Sequence, residues 1–123
     1  MDRNAFINWV EGYIRAWNSN QPQEIGALFS SDASYYTGPF DEPWSGREAI
    51  VDGWLDRKDE PGSYTFEYEL VATEGDLGIV RGLTRYLDPP PREYSNIWFI
   101  KLNESGESVE FIEWWMKKRK TGG

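Results

Sequence analysis

The sequence predicts an α+β domain: three helical segments, then a run of sequential antiparallel strands. Two observations carry that expectation. Ahead of Pro61, apolar side chains recur mainly at three- and four-residue steps, whereas from Tyr64 onward they alternate with polar ones. Helices grouped before strands indicate an α+β arrangement. The 123 residues match the usual ~100–150 of one domain, so residues 1–123 are expected to form a single one with a core that needs no staples.

The first helix is read from Phe6, Trp9, Val10, Tyr13, Ile14 and Trp17, one apolar stripe with Arg3, Glu11 and Arg15 between its members. Asn18-Ser19-Asn20 stops it. Pro22 starts a second, short helix with Ile25, Leu28 and Phe29 as its stripe. Ser30-Ser31-Asp32 breaks the chain again, and Ala33–Thr37 reads as a short strand. After the turn-rich loop Gly38–Trp44, Ser45 followed by Glu48 has the spacing of a capping box at the start of a third helix, which carries Ile50, Trp54 and Leu55. Strands follow at Tyr64–Val71, Leu77–Leu87, Tyr94–Leu102 and Val109–Lys117, separated by Glu74-Gly75-Asp76, Asp88–Arg92 and Asn103–Gly106. The triple proline at 89–91 cannot sit inside a sheet.

Composition removes several function classes. There is no cysteine, hence no disulfide, thiolate nucleophile or zinc-thiolate site, and no histidine, so a general base must be a carboxylate, Lys or Tyr. Thirteen Lys+Arg against 21 Asp+Glu leave −8, a poor balance for nucleic acid or an anionic membrane. No membrane-span run or signal-peptide pattern is present, so a soluble, cytoplasmic protein is expected. No glycine-rich phosphate cradle or nucleophile elbow occurs, and no cofactor is expected. The acidic clusters Asp41-Glu42 and Asp56-Asp59-Glu60 read as solvated, and Lys117–Lys120 as a basic end of the chain. In the last two strands both faces are apolar. One can pack on the helices; the other, with Phe99, Ile112 and Trp114, predicts a homodimer through the sheet.

The stretches Tyr13–Asn18, Ile25–Phe29, Asp32-Ala33, Pro43–Gly46 and Glu48–Ile50 resemble the nuclear transport factor 2-like superfamily, which includes SnoaL-like polyketide cyclases, ketosteroid isomerases and limonene-epoxide hydrolases. Glu110–Met116 resembles the last strand of small bacterial members of unassigned function. The resemblance implies a cystatin-like conical barrel, a strongly bent sheet wrapped around the long first helix, with an open-ended apolar pocket and a homodimeric assembly. It supports fold more than function, because the scaffold hosts enzymes and non-enzymes. By resemblance to ketosteroid isomerases, Tyr13 matches the tyrosine that hydrogen-bonds the developing oxyanion. Thr37 stands at the position of their catalytic aspartate, and Trp98 near that of their protonated aspartate. Glu113 lies where limonene-epoxide hydrolases carry their last-strand aspartate, but residues 79–85 lack that family's Arg-x-Asp pair. The histidine of SnoaL-like cyclases has no counterpart.

Glu113 is the candidate proton carrier. Period 2 places it on one strand face with Phe111 and Trp115. In an apolar cavity its pKa would rise toward neutrality; an ion pair with Arg81 or Arg85 would lower it, and a rim position in water is the third option. Tyr13 is the candidate hydrogen-bond donor, or else a core aromatic. Trp17, Tyr35, Trp54, Trp98, Phe111 and Trp115 are the candidate lining for a small apolar or aromatic ligand, with core and dimer packing as the alternative. Two classes of function fit these residues. One is a cofactor-independent acid–base enzyme (isomerase, cyclase or hydratase) on an apolar carbonyl or polyketide-like compound; the other is a non-catalytic ligand-binding or scaffold protein with Glu113 in a structural ion pair.

Overall fold

Asp2 caps the first helix: its carboxylate accepts from the Ala5 backbone N–H at 3.0 Å. In the computed structural model, which describes residues 2–119, α1 runs Arg3–Ser19 and ends where Asn20 turns left-handed at φ 53°. Phe6, Trp9, Val10, Tyr13 and Ala16 form its buried stripe. Pro22 opens α2 (Pro22–Gly26) at its first turn. The expected second helix is therefore shorter than its stripe suggested, because Phe29 already belongs to β1 (Phe29–Tyr36). Ser30-Ser31-Asp32 does not end an element; it lies at a register irregularity inside that strand.

A two-residue strand absent from the sequence expectations, β2 (Trp44–Ser45), pairs with Ser34 and Tyr35. This pairing overturns the capping box. Ser45 lies within the strand, and the cap of α3 (Arg47–Asp56) is Gly46, at φ 89°, with no side-chain bond. Only glycine adopts that conformation readily, and it directs the Gly46 N–H onto the Ala33 carbonyl at 2.8 Å.

The remaining chain is a meander: β3 (Tyr64–Glu74), β4 (Leu77–Tyr86), β5 (Arg92–Leu102) and β6 (Ser108–Lys117). The bent sheet has the order β2-β1-β6-β5-β4-β3. The sheet is not antiparallel throughout, because β6 lies parallel to β1 while antiparallel to β5. Helix α1 crosses the concave face and meets Val80, Trp98, Ile100, Leu102 and Phe111 in the core. Two glycines on β4 let aromatic rings lie directly on the strand: a Cβ on Gly78 would come within 2.4 Å of the Phe6 ring, and one on Gly82 within 2.5 Å of Phe66. On the outer face, Trp114 packs edge-on against Phe99 at 5.1 Å, yet Trp114 stays 44% and Met116 75% exposed. No helix among the described residues is long and apolar enough to cross a membrane. Of the basic run 117–120, Lys120 lies outside the described residues.

Candidate functional site

Segments from both halves of the chain converge on a cavity of about 280 Å³. Helix α1 contributes Tyr13 and Trp17, β1 contributes Tyr35, and the segment after α3 contributes Arg57 to Asp59. The inward positions of β4, β5 and β6 close it, through Thr84, Asn96, Trp98 and Glu113 among others. The parity of β4 decides who enters. Gly78, Val80, Gly82 and Thr84 are its buried positions, so Arg81 and Arg85 point outward.

That parity removes the ion pair considered for Glu113. Arg81 bonds Glu69, and Arg85 bonds Glu67 at 2.9 Å and Glu93 at 3.1 Å, all on the exterior. Glu113 instead faces the cavity, opposite Trp98 in the β5–β6 register. One carboxylate oxygen accepts from the Tyr35 hydroxyl at 3.2 Å, the other from the Tyr13 hydroxyl at a long 3.5 Å. The two hydroxyls are themselves 3.0 Å apart. Removal from water pushes the Glu113 carboxyl up to about 7, against the opposing pull of the two tyrosine hydrogen bonds and of Arg57; Asp59 adds to the rise. Both phenols are raised well above 10, first by burial and then by the charge of Glu113, so they stay protonated donors.

The aromatic candidates separate into lining and support. Trp17 stacks on Tyr64 at 4.1 Å and donates its indole N–H to Asp59 at 3.0 Å. Trp54 packs on Tyr13 at 4.7 Å, and Trp115 stands at the mouth, 43% exposed. Trp98 is buried between Tyr13 and Phe66, and its indole N–H has no partner among the described residues. Phe111 does not line the cavity, contrary to expectation. It lies deeper on β6, fully buried, where Trp9, Tyr35 and Trp98 close over it at 4.8–5.3 Å. Thr37 lines the cavity, and its hydroxyl bonds Asp41 at 3.1 Å.

Several lining residues were not anticipated. Asp59, read as solvated, accepts from Trp17 and from the Tyr86 hydroxyl, each at 3.0 Å. Asn96 accepts from Thr84 at 2.7 Å through its side-chain oxygen, and no protein acceptor among the described residues takes its amide protons. Arg57, Lys58 and Arg92 stand at the mouth. The Asn96 position was legible as an inward polar residue in an otherwise apolar strand; the segment 57–59 carries no periodic signal. Among the described residues no group of three His, Cys, Asp or Glu is placed to hold a metal. The arrangement can hold a proton at near-neutral pH beside two hydrogen-bond donors, within aromatic walls.

The SnoaL-like domain family pattern matches residues 10–115. Three solved structures share the fold at low identity. An NTF-2 like protein of unknown function from Burkholderia xenovorans LB400 is 14% identical, with a TM-score of 0.73 over 98% of this chain and 89% of the other. SalBIII, an epoxide hydrolase/cyclase-like enzyme in pyran ring formation in the polyether salinomycin, is 18% identical, with a TM-score of 0.74 over 94% and 93%. A hypothetical protein with a ketosteroid isomerase-like fold from Catenulispora acidiphila DSM 44928, in complex with trimethylamine, is 20% identical, with a TM-score of 0.66 over 86% and 83%. No curated protein matches the chain.

Proposed function

The chain belongs to the SnoaL-like domain family, and we propose that it is a small-molecule-binding protein that performs cofactor-independent proton transfer on a small apolar carbonyl or polyketide-like compound. One observation carries this function: a carboxyl group with a pKa of about 7 sits in an aromatic cavity beside two protonated tyrosines. Near neutral pH such a group divides between acid and base, the condition for taking a proton and returning it. Glu113 in its ionised form accepts a proton from the carbon next to the carbonyl. Tyr13 or Tyr35 swings its O–H onto the carbonyl oxygen and stabilises the enolate, and the protonated Glu113 returns the proton at another carbon. Cyclisation or hydration uses the same acid and base, and the likeness to SalBIII supports ring formation as one outcome.

A non-catalytic binding role is favoured by a different observation, that both Glu113 oxygens already accept from tyrosines. The two are separated by following α-proton exchange of cyclic ketones in heavy water by NMR. Exchange that Glu113→Gln abolishes while the ketone still binds establishes the enzyme; ketone binding without exchange establishes the binding protein. We also infer that residues 1–123 act as one domain, in the cytoplasm, as a homodimer covering the outer sheet face around Phe99, Ile112 and Trp114. The exposure of Trp114 and Met116 supports the dimer.

A further inference from the structure

Five formally charged residues line the cavity, and three of them, Arg57, Lys58 and Arg92, are cations. That is unusual company in a chain of net charge −8. The two carboxylates are already engaged: Asp59 accepts from Trp17 and Tyr86, and Glu113 from Tyr13 and Tyr35. The cations are not. Arg47, Arg81, Arg85, Lys101 and Lys118 each meet a carboxylate within 4.0 Å, whereas no such partner is found for the three at the mouth among the described residues. Aromatic rings hold two of them instead. The Arg57 guanidinium lies 5.6 Å from the centre of a Trp44 ring and that of Arg92 4.6 Å from the centre of Tyr86. Stacking of this kind orients a guanidinium while leaving its N–H edge free for a planar anion.

We propose that the cavity takes a flat, one- or two-ring compound bearing a carboxylate, with the carboxylate held at the mouth by Arg57, Lys58 and Arg92. Its ring lies between Trp17, Trp54 and Trp98, and its oxo or hydroxyl oxygen points inward to the tyrosines and the free amide of Asn96. The inference rests on the small-molecule function proposed above and names its substrate class. The volume of about 280 Å³ lies just below the ~300–1,000 Å³ usual for ligand sites, which limits the ring count. A cationic ligand would suit the aromatic walls but would find both carboxylates occupied by donors.

Three probes share one ring system and differ in charge: 1-naphthoate, 1-naphthamide and 1-naphthylmethylamine. Their affinities are measured by titration calorimetry at low ionic strength. Naphthoate should bind roughly tenfold more tightly than the amide, the lower range for charge-assisted hydrogen bonds in a solvent-open mouth. Arg57→Gln and Arg92→Gln should each erode that advantage several-fold without weakening the amide. Equal affinity for all three probes, an amine that binds best, or a naphthoate preference untouched by either arginine variant overturns the carboxylate assignment and leaves the ligand pocket standing. Failure of all three to bind removes both, while loss of proton exchange with retained naphthoate preference removes only the enzyme.

Discussion

Replacing Glu113 by Gln should change how stability depends on pH, and the structure fixes both sign and size. The folded protein raises this carboxyl from its ordinary 4.5 to about 7, so it holds its proton more tightly folded than unfolded. Its favourable contribution is complete below pH about 4.5 and is lost as pH rises through about 7. At ~1.4 kcal/mol per pH unit the displacement corresponds to about 3 kcal/mol, which the residual exposure of Glu113 at the cavity reduces to about 2. Glutamine keeps the shape and cannot ionise. Melting both proteins across that range isolates Glu113, because every other titrating group is common to them. Between pH 4.5 and 8 the variant should gain about 2 kcal/mol on the wild type, roughly 8 °C in Tm for a domain of this size. A constant offset between the two curves would refute the buried, unpaired carboxylate, and a gain by the wild type would mean that a cation holds it.

Three further outcomes follow from named contacts. Tyr35→Phe removes a hydrogen bond that pulls the Glu113 pKa down, so the midpoint should move above 7, and further than in Tyr13→Phe, whose bond is longer; carboxyl-carbon NMR reads it, and a downward move would contradict the geometry. Gly78→Ala places a methyl within 2.4 Å of the Phe6 ring and should cost about 2 kcal/mol in urea unfolding, whereas a loss below ~0.5 kcal/mol would mean the sheet yields freely. Trp114→Glu puts a charge on the exposed outer face; light scattering should show a dimeric wild type and a monomeric variant, and a wild-type monomer at micromolar concentration would remove the dimer.

Much of the fold was legible because period dominates it. Alternation placed β3 to β6, and the three- and four-residue stripe placed α1. The departures occur where pairing overrides local preference. Phe29 fits a helical stripe but pairs with Ser108, 79 residues on, and Ser45 fits a cap but serves β2. Glu113 could be placed on a strand face from period 2, yet its partners could not: Tyr35 reaches it across the parallel β1–β6 contact, which no local pattern announces. Phe111 shares its parity with Glu113, and parity does not report depth along the cone. Asp59 and Arg57 sit in the segment after α3, where composition says only that charge is present.

The place of β6 in the sheet sets an order of assembly. It lies between β1 and β5, so until residues 108–117 leave the ribosome the sheet is two pieces: β1 with β2, and the β3–β5 meander. Each then presents an open strand edge of the sort that recruits foreign strands. The same late strand brings Glu113 to Tyr13, 100 positions upstream. Binding capacity therefore arrives with completion of the sheet rather than before it. A nascent chain halted short of β6 has aromatic walls but lacks Glu113, and its two unsatisfied edges are what a holding chaperone would meet.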